Sequence, residues 1–307
     1  MPTSRHFTLE RIADGVYAAL ATPGAGALGN AGIVDLGDRT LVFDTFLTPQ
    51  AAQDLRTAAE ALTGRPACYV ANSHYHADHV AGNQVFVPEA QVIATPRMRE
   101  LIAEKNAALI AELRAHGAEY IAAAEARIRA ESDRARRRAL EIGLAGDREF
   151  ISVADTIRIT LPDVTFDERL VLHGSARTAE LVTFGAGHTE SDVVLYLPAE
   201  RIAFVGDLGF FHSHAWAGDG SPADWERAVP RVLALGAEIL VPGHGPVGTP
   251  ADLEGVGRYV GEIARLAQDA AARGVSPEDV PVPEAYREWD GVDMFAQNLK
   301  ALGTRGA

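Results

Sequence analysis

Apolar runs of strand length alternate with turn residues over the first third of the chain. The runs "GVYAAL", "AGIVDLG" and "TLVFDT" predict three short strands, because they are rich in β-branched and aromatic residues between turn residues. A helix is expected from Thr48 to about Leu62, since Pro49 suits the first turn of a helix. Two further strands, "ACYVAN" and "QVIAT", flank a short helix from about Asp78.

Residues 97 to about 145 have a different, helical pattern. They are rich in Ala, Glu, Arg and Leu, with apolar residues at helical spacing, which predicts one or two long helices broken near Gly117. The basic run from Arg134 to Arg138 is nearly balanced by surrounding acids. This favours a solvated helix face, with a dimer face or a substrate lid as the alternatives.

Strand patterns return after this segment, in the runs "TIRITL", "RLVLHG", "AELVTFGAG", "DVVLYLP", "RIAFVGD" and "EILVPGHG". Ser221 and Thr249 precede prolines and mark the starts of two helices with capping side chains. Two strand-rich halves suggest two sheets packed together with helices outside. We therefore expect one domain over residues 1–307, with a helical insert at about 97–145 and a helical tail at about 250–307.

Composition narrows the class of protein. A hydrophobic content of 47% and a charged content of 23% are typical of a soluble globular protein with a sizeable core. The net charge of −14 argues against nucleic acid as the main partner, because phosphate binding needs a cationic face. The start "MPTSRHFTLE" has no apolar stretch of signal-peptide length, and no run approaches membrane-spanning length. We expect a cytoplasmic protein that does not enter a membrane.

The stretch "NSHYHADH", residues 72–79, concentrates groups that bind metals. Because a strand alternates its faces, His74 and His76 should project to one side as the chain leaves "ACYVAN". Asp78 and His79 follow where the chain turns into a helix, and so should point elsewhere. This geometry suits two metals better than one; the alternative is a chance cluster in a polar loop.

More histidines and acids stand at later strand ends: His188 in "FGAGHTESD", Asp207 in "FVGD" and His244 in "VPGHG". Loops at strand ends are where α/β proteins usually place chemistry. Each residue alone is weak support, because a lone buried histidine or aspartate is more often a structural hydrogen bonder. Four such segments in this order favour a functional site.

Taken in order, "HYHADH", "GHT", "GD" and "PGHG" resemble the metallo-β-lactamase superfamily over most of the chain. The resemblance implies an α/β fold, a four-layer αββα sandwich with a dinuclear site along one edge, to which the helical insert is the main addition. It implies a first metal on His74, His76 and His188, a second on Asp78, His79 and His244, and Asp207 as the bridge between them.

The residue types agree with this chemistry. Imidazole and carboxylate ligands suit two Zn²⁺ ions and are also compatible with iron or manganese. Two metals about 3.5–4 Å apart can share a bridging hydroxide with a pKa near 7 and polarise a carbonyl. We predict hydrolysis of a small ester, thioester, lactone or amide, with Asp78 steering the nucleophile or passing its proton to the leaving group.

The resemblance narrows the substrate only slightly. Family members that hydrolyse antibiotics often carry cysteine or serine where this chain has Asp207, which is more similar to glyoxalase II and lactonases. The helical insert is not where glyoxalase II carries its substrate domain. The alternative is an iron-dependent oxidoreductase with the same ligands, similar to a sulfur dioxygenase. A non-catalytic binding protein is disfavoured because every ligand position is filled.

Candidate residues also surround the ligands. Asp44 resembles the family aspartate that braces the metal-binding loop, and ligand histidines usually donate their second ring N–H to such a partner. The segment "GFFHSHAWAGDG" holds a second H-x-H pair, so His212, His214 and Trp216 are predicted to bind substrate; the alternative is a loop packed by its own aromatic residues. The expected partners are a small-molecule substrate and a second copy of the chain, bound through the insert.

Overall fold

The computed structural model describes residues 1–304, and within them the strands form two sheets. The first sheet is antiparallel from β1 to β4 and parallel from β4 to β7. Its strands follow chain order: β1 (Phe7–Ala13), β2 (Val16–Ala21), β3 (Ala31–Asp35), β4 (Thr40–Phe43), β5 (Tyr69–Ala71), β6 (Gln91–Ala94) and β7 (Val164–Thr165).

The second sheet comes from the later part of the chain and has the order β12-β11-β10-β9-β8. Its strands are β8 (Arg169–His173), β9 (Thr178–Gly185), β10 (Asp192–Leu197), β11 (Ile202–Phe210) and β12 (Ile239–His244). Only the β11–β12 pair is parallel among these neighbours, and the others are antiparallel. The carboxyl ends of β11 and β12 therefore lie at the same edge of the second sheet.

The two sheets pack face to face with helices on both outer faces. Alternate residues of both sheets meet between them, as where Phe43 and Phe204 lie with ring centroids 6.1 Å apart. Helix α1 (Pro49–Thr63) covers the outside of the first sheet, and α6 (Pro222–Leu233) and α7 (Pro250–Arg273) cover the second. The predicted αββα sandwich is confirmed.

Several predicted helix starts have the expected caps. The Thr48 side chain accepts from the Ala51 N–H, and the Ser221 side chain accepts from the Asp224 N–H. Thr249 and Asp252 form a reciprocal capping box at the start of α7. Local sequence therefore sets these boundaries, because each cap satisfies backbone donors that a helix leaves unpaired.

The insert is a hairpin of two long helices. The short helix α2 (Ala77–Val80) lies between β5 and β6 and precedes the insert. The insert comprises α3 (Pro96–Leu101), a π-helical turn (Ile102–Asn106), α4 (Ala107–Ala130) and α5 (Arg134–Val153). The predicted break near Gly117 is wrong: α4 runs through it, and the chain turns at 131–133. A Cβ at Gly117 would lie 2.6 Å from Ile151 Cγ2, so this glycine allows α4 and α5 to pack closely.

One strand prediction is wrong, and two strands of the structure were not predicted. The run "TIRITL" is not a strand: Ile157 is buried beside the insert, and the Arg158 N–H donates to Gln84 Oε1 at 2.8 Å. Strand β1 was not predicted, because Phe7 is its one buried residue and its apolar alternation is weak; the two-residue strand β7 was also not predicted, because it is too short to show a pattern.

The tail contains α7 and α8 (Asp293–Gly303), and residues 305–307 of the predicted tail lie outside the described part. No helix within residues 1–304 is long and apolar enough to cross a membrane.

Candidate metal centre

The "NSHYHADH" stretch forms a loop and the short helix α2. His74 and His76 come after β5 has ended at Ala71, so strand alternation is not what brings their rings together. The loop is instead held from beneath, where the Ser73 N–H donates to Asp44 Oδ1 at 2.7 Å. The two imidazole rings meet edge to face, with centroids 4.6 Å apart.

The structure brings all seven predicted ligands to one edge of the sandwich, in two groups. In each group the potential ligand atoms lie within 4.8 Å of one another. The first group is His74, His76, His188 and Asp207, and the second is Asp78, His79 and His244. Their assignment as metal ligands remains a proposal.

The carboxylate of Asp207 lies between the two groups. Its Oδ1 is 3.1 Å from His79 Nε2, in the second group. Its Oδ2 is 3.3 Å from His188 Nε2 and 3.5 Å from His74 Nε2, both in the first group. His244 Nε2 also lies 3.4 Å from Oδ2. This one side chain therefore contacts both sets of imidazoles.

A glycine makes room for this crowding. A Cβ at Gly29 would lie 2.7 Å from His79 Nε2 and 3.1 Å from Asp78 Oδ2, so a larger residue would displace either side chain. Gly29 belongs to the β2–β3 connection, which brings the first sheet against the edge formed by β11 and β12. Asn30 fastens the connection by donating to Pro242 O at 3.0 Å and Gly245 O at 2.9 Å.

Within residues 1–304, three buried polar atoms that face this edge make no well-formed hydrogen bond: His74 Nε2, His79 Nε2 and Asp207 Oδ1, the last two lying 3.1 Å apart. A buried polar atom without a partner costs about 1–3 kcal/mol, so such groups usually bind something. Imidazole nitrogens and carboxylate oxygens are the donor atoms that Zn²⁺ and related ions accept. The residues present therefore fit two metal ions.

Burial and neighbouring carboxylates give the histidines of the cluster either a lowered or a raised pKa. Burial lowers the pKa of His188 to about 3 and that of His74 well below its usual range, which keeps both rings neutral. Burial would also lower the pKa of His244, but Asp207 and Asp78 outweigh it and raise that pKa to about 9. A metal ion would have to displace the His244 proton, since ligand imidazoles are neutral.

The carboxylates of Asp78 and Asp207 respond to these imidazoles. Burial opposes their ionisation, but His79 and His244 together hold the pKa of each carboxyl well below its usual range. Both groups are therefore ionised at neutral pH. An ionised carboxylate is the form that binds a cation.

Asp44 lies where the predicted brace should be. Its Oδ2 is 2.9 Å from His79 Nδ1, while Oδ1 accepts from the Ser73 N–H. The residue adopts a left-handed backbone conformation with φ of 62°, which is unfavourable for a residue with a Cβ. Bonds to both carboxylate oxygens stabilise this conformation, and burial raises the pKa of the group.

Asp219 is a partner that sequence reasoning missed. Its Oδ2 lies 3.1 Å from His76 Nε2 and accepts the Trp216 indole N–H at 2.6 Å. Hydrogen bonding to His76 holds the pKa of the Asp219 carboxyl well below its usual range. The only local signal is an aspartate between two glycines, and nothing marks a partner 143 residues away.

Two buried networks behind the edge were also missed. Asn72 Nδ2 donates to His79 O at 3.2 Å, Asn83 Nδ2 donates to Asn72 Oδ1 at 2.9 Å, and the Thr45 hydroxyl donates to Asn83 Oδ1 at 2.9 Å. These bonds fix the backbone of α2.

On the other side, Asp192 holds the loop that carries His188, since it accepts the Thr189 hydroxyl at 2.7 Å and the Thr189 backbone N–H. Burial raises the pKa of Asp192 to about 6.

The second H-x-H pair does not reach the edge of the sandwich where the seven candidate ligands cluster, which we call the metal edge. His214 is buried, with Nδ1 2.9 Å from the Tyr259 hydroxyl and Nε2 3.1 Å from Tyr286 O. These contacts favour the alternative of a loop packed by aromatic residues, and contact of His214 with substrate stays a prediction. His212 is exposed, and its Nε2 is 3.6 Å from Asp252 Oδ1. Of the three predicted substrate residues, Trp216 alone adjoins the edge, through Asp219.

The sandwich and the two histidine–aspartate groups at its edge define a class of protein. The profile of the metallo-beta-lactamase superfamily matches residues 25–244. This match covers more than half of the chain, and the chain belongs to that superfamily.

Solved structures share the fold at low sequence identity. A metallo-beta-lactamase from Pontibacter korlensis is 19% identical, with a TM-score of 0.61 over 83% of this chain and 99% of that one. The VMB-1 structure is 18% identical, with a TM-score of 0.61 over 85% and 100% of the two chains. The DIM-1 metallo-beta-lactamase is 16% identical, with a TM-score of 0.60 over 84% and 98%. At these identities the likeness shows the fold alone.

Proposed function

We propose that this protein is a dinuclear metal-dependent hydrolase that attacks the carbonyl of a small ester, thioester, lactone or amide. The observation that carries the proposal is the position of Asp207. Its Oδ1 lies beside His79 of the second group, and its Oδ2 lies beside His188 and His74 of the first group and His244 of the second. A carboxylate that contacts both groups is suited to bridge two ions.

The donor set assigns residues to two ions. His74, His76 and His188 would hold one metal, Asp78, His79 and His244 would hold the other, and Asp207 would contribute to both. Two Zn²⁺ ions suit these ligands, and iron or manganese is compatible with them. When bound, such a pair activates water at neutral pH and polarises a substrate carbonyl.

Exposure indicates the side from which substrate approaches. The side chains of His74, His79, His188 and Asp207 are at most 3% exposed and form the floor of the site. The side chains of His76 and His244 are 19% and 18% exposed, and that of Asp78 is 12% exposed. The reacting carbonyl would therefore lie over these three residues.

Asp78 would have a catalytic role beside its role as a ligand. Its Oδ2 is 3.2 Å from both His79 Nε2 and His244 Nε2, which fixes the carboxylate at the accessible side of the cluster. From this position it would orient the attacking water and carry its proton toward the leaving group. Asp44 and Asp219 would position His79 and His76 through their outer ring nitrogens.

Metal analysis of protein purified without added metal, followed by a hydrolysis screen, tests the proposal. The screen should include thioesters, lactones, esters and β-lactams. We expect about two zinc ions per chain and turnover of at least one class that stops when the metal is removed. Mostly iron with no hydrolysis would contradict the proposal and favour the sulfur-dioxygenase-like alternative.

The homodimer through the helical insert also stays a prediction. Helix α4 presents an outer face with exposed alanines and the half-exposed ring of Tyr120. Sedimentation velocity of the intact protein tests this prediction. A species of about 65 kDa, twice the 32.7 kDa of one chain, is expected if α4 pairs with a second copy.

A further inference from the structure

A cavity of about 720 Å³ lies between the helical insert and the tail. Its walls come from the end of α4, the start of α5, residues 277–280 and α8. None of the seven proposed ligands lines it, but Trp216 does. Trp216 donates to Asp219, which in turn contacts His76, so the cavity begins where the metal edge ends.

Three cations from separate elements line this cavity: Arg127 on α4, Arg136 on α5 and Lys300 on α8. Within residues 1–304, none of their side chains has a carboxylate within 4.0 Å or donates a hydrogen bond. Acids are not scarce, since the chain has 42 Asp and Glu against 28 Lys and Arg. The three cations are therefore available to an anion that enters the cavity.

Three acids also line the cavity, but each is engaged by its own segment. Glu131 Oε1 accepts the Asp133 N–H at 2.8 Å, Glu278 Oε2 accepts the Ser276 hydroxyl at 2.5 Å, and Asp293 Oδ2 accepts from Gln297 Nε2 at 3.3 Å. The Ser276 bond lowers the pKa of Glu278, and Lys300 and Arg127 lower it further without pairing to it. These bonds anchor the acids to their own segments without cancelling their charge, whereas in the described part of the chain the three cations have no such bond and can turn toward an anion that enters.

We propose that this cavity receives an anionic group, a carboxylate or a phosphate, of a substrate whose reacting carbonyl lies at the metal edge. The inference rests on the proposed function and adds a substrate class: an elongated acyl compound with the anion at a distance from the carbonyl. Apolar side chains in the cavity wall, among them Leu140, Val292 and Phe295, would contact the chain between the two ends.

Binding of simple anions tests the cavity without relying on turnover. Calorimetric titrations with suberate and with inorganic phosphate would compare the metal-loaded protein with the triple variant Arg127→Gln, Arg136→Gln, Lys300→Gln. A control triple variant, Arg129→Gln, Arg258→Gln, Arg273→Gln, removes the same charge from surfaces outside the cavity. Because each exposed ion pair is worth a few-fold, we expect about tenfold weaker binding in the first variant only, and weaker binding in high salt.

A pair of esters tests whether the cavity serves the reaction. The p-nitrophenyl monoester of suberic acid and p-nitrophenyl octanoate have acyl chains of equal length and differ in the terminal carboxylate. The ratio of kcat/KM for the anionic over the neutral ester should fall about tenfold in the cavity variant and stay constant in the control. Competition by inorganic phosphate that the cavity variant loses would identify phosphate as the better-fitting anion.

Different results would contradict the anion site in the cavity and the proposed hydrolase function. Hydrolysis of both esters with the same ratio in all three proteins, and suberate affinity that does not depend on the cavity cations, would overturn the anion site alone. Anion binding that requires the three cations, in a protein that hydrolyses no ester, thioester, lactone or amide, would support the cavity and contradict the hydrolase.

Discussion

The chain contains two H-x-H pairs, His74/His76 and His212/His214, and the structure gives them different roles. His74 and His76 approach His188 and Asp207 at the metal edge. His214 is enclosed by aromatic rings and hydrogen-bonded through both nitrogens, and His212 points outward from a left-handed backbone with φ of 56°. Identical spacing therefore does not make a metal site.

The difference lies in what other segments bring to each pair. The first pair meets a carboxylate, Asp207, that carries a full negative charge, whereas His214 meets only a phenol hydroxyl and a backbone carbonyl. Burial lowers the pKa of His214 to about 4, so it is a neutral core residue. A metal needs several anionic or lone-pair donors at one point, and only the first pair has them.

The largest expected effect comes from Asp207→Ala. Loss of the shared carboxylate should lower metal content by about one ion per chain and reduce turnover by more than the roughly 100-fold typical of losing an outer partner of a ligand. Plasma mass spectrometry and kinetics measure both. Circular dichroism should show a folded protein, because the sheets do not depend on this side chain. Unchanged activity would refute the bridging role.

Asp219→Ala should have the next largest effect. It removes the group that fixes His76 Nε2, and metal affinity should fall about 10- to 100-fold in competition with a chelator. Asp219→Asn keeps an acceptor for the imidazole N–H and should restore part of the affinity. Asp290→Asn, on an exposed carboxylate of the tail, is the control. Equal affinity in all four proteins would show that Asp219 does not position His76.

His214→Gln should change stability and its pH dependence while leaving metal content unaltered. A folded pKa of about 4 lies below the ordinary value of 6.5, so the unfolded chain binds a proton that the folded protein does not, and stability falls as pH drops from about 6.5 to 4. Between pH 7 and pH 5, wild type should lose about 2 kcal/mol more than the variant. Urea unfolding at both pH values measures this difference; parallel losses would contradict it.

His212→Asn should have the smallest effect. The side chain is exposed, and asparagine tolerates a left-handed backbone, so unfolding free energy should change by less than about 0.5 kcal/mol. Metal content and turnover should match wild type. A loss of turnover with normal metal content would support His212 as a substrate residue and weaken the contrast between the two pairs.

Local chemistry made parts of the fold predictable. Helices α1, α6 and α7 begin where Thr48, Ser221 and Thr249 place their caps, because capping depends on neighbouring residues alone. The run "TIRITL" failed for the opposite reason. Its alternation resembles a strand, but burial of Ile157 beside the insert and the bond between Arg158 and Gln84 hold it in another conformation.

The sequence predicted the clustered histidines and aspartates of the candidate site and the Asp44 brace, but not the other residues that support them. The histidines and aspartates at strand ends could be selected because each has a type and position typical of metal ligands. Asp219 and Asn72 could not be selected, since polar residues in loops are common and their partners are set by distant segments. The same limit applied to His214, whose aromatic surroundings come largely from the tail, with Tyr259 on α7 and Phe295 on α8.

The amino-acid sequence by itself determined the strand and helix periods, the capped helix starts and the residues able to bind metal, because these depend on residue type and near neighbours. Only the tertiary structure decided which of those residues meet, which histidine is buried among rings, and that three cations line a cavity beside Trp216. The physical reason is that metal binding, desolvation and charge pairing depend on distances of a few ångströms between segments far apart in the chain, and these distances exist only once the sheets have packed.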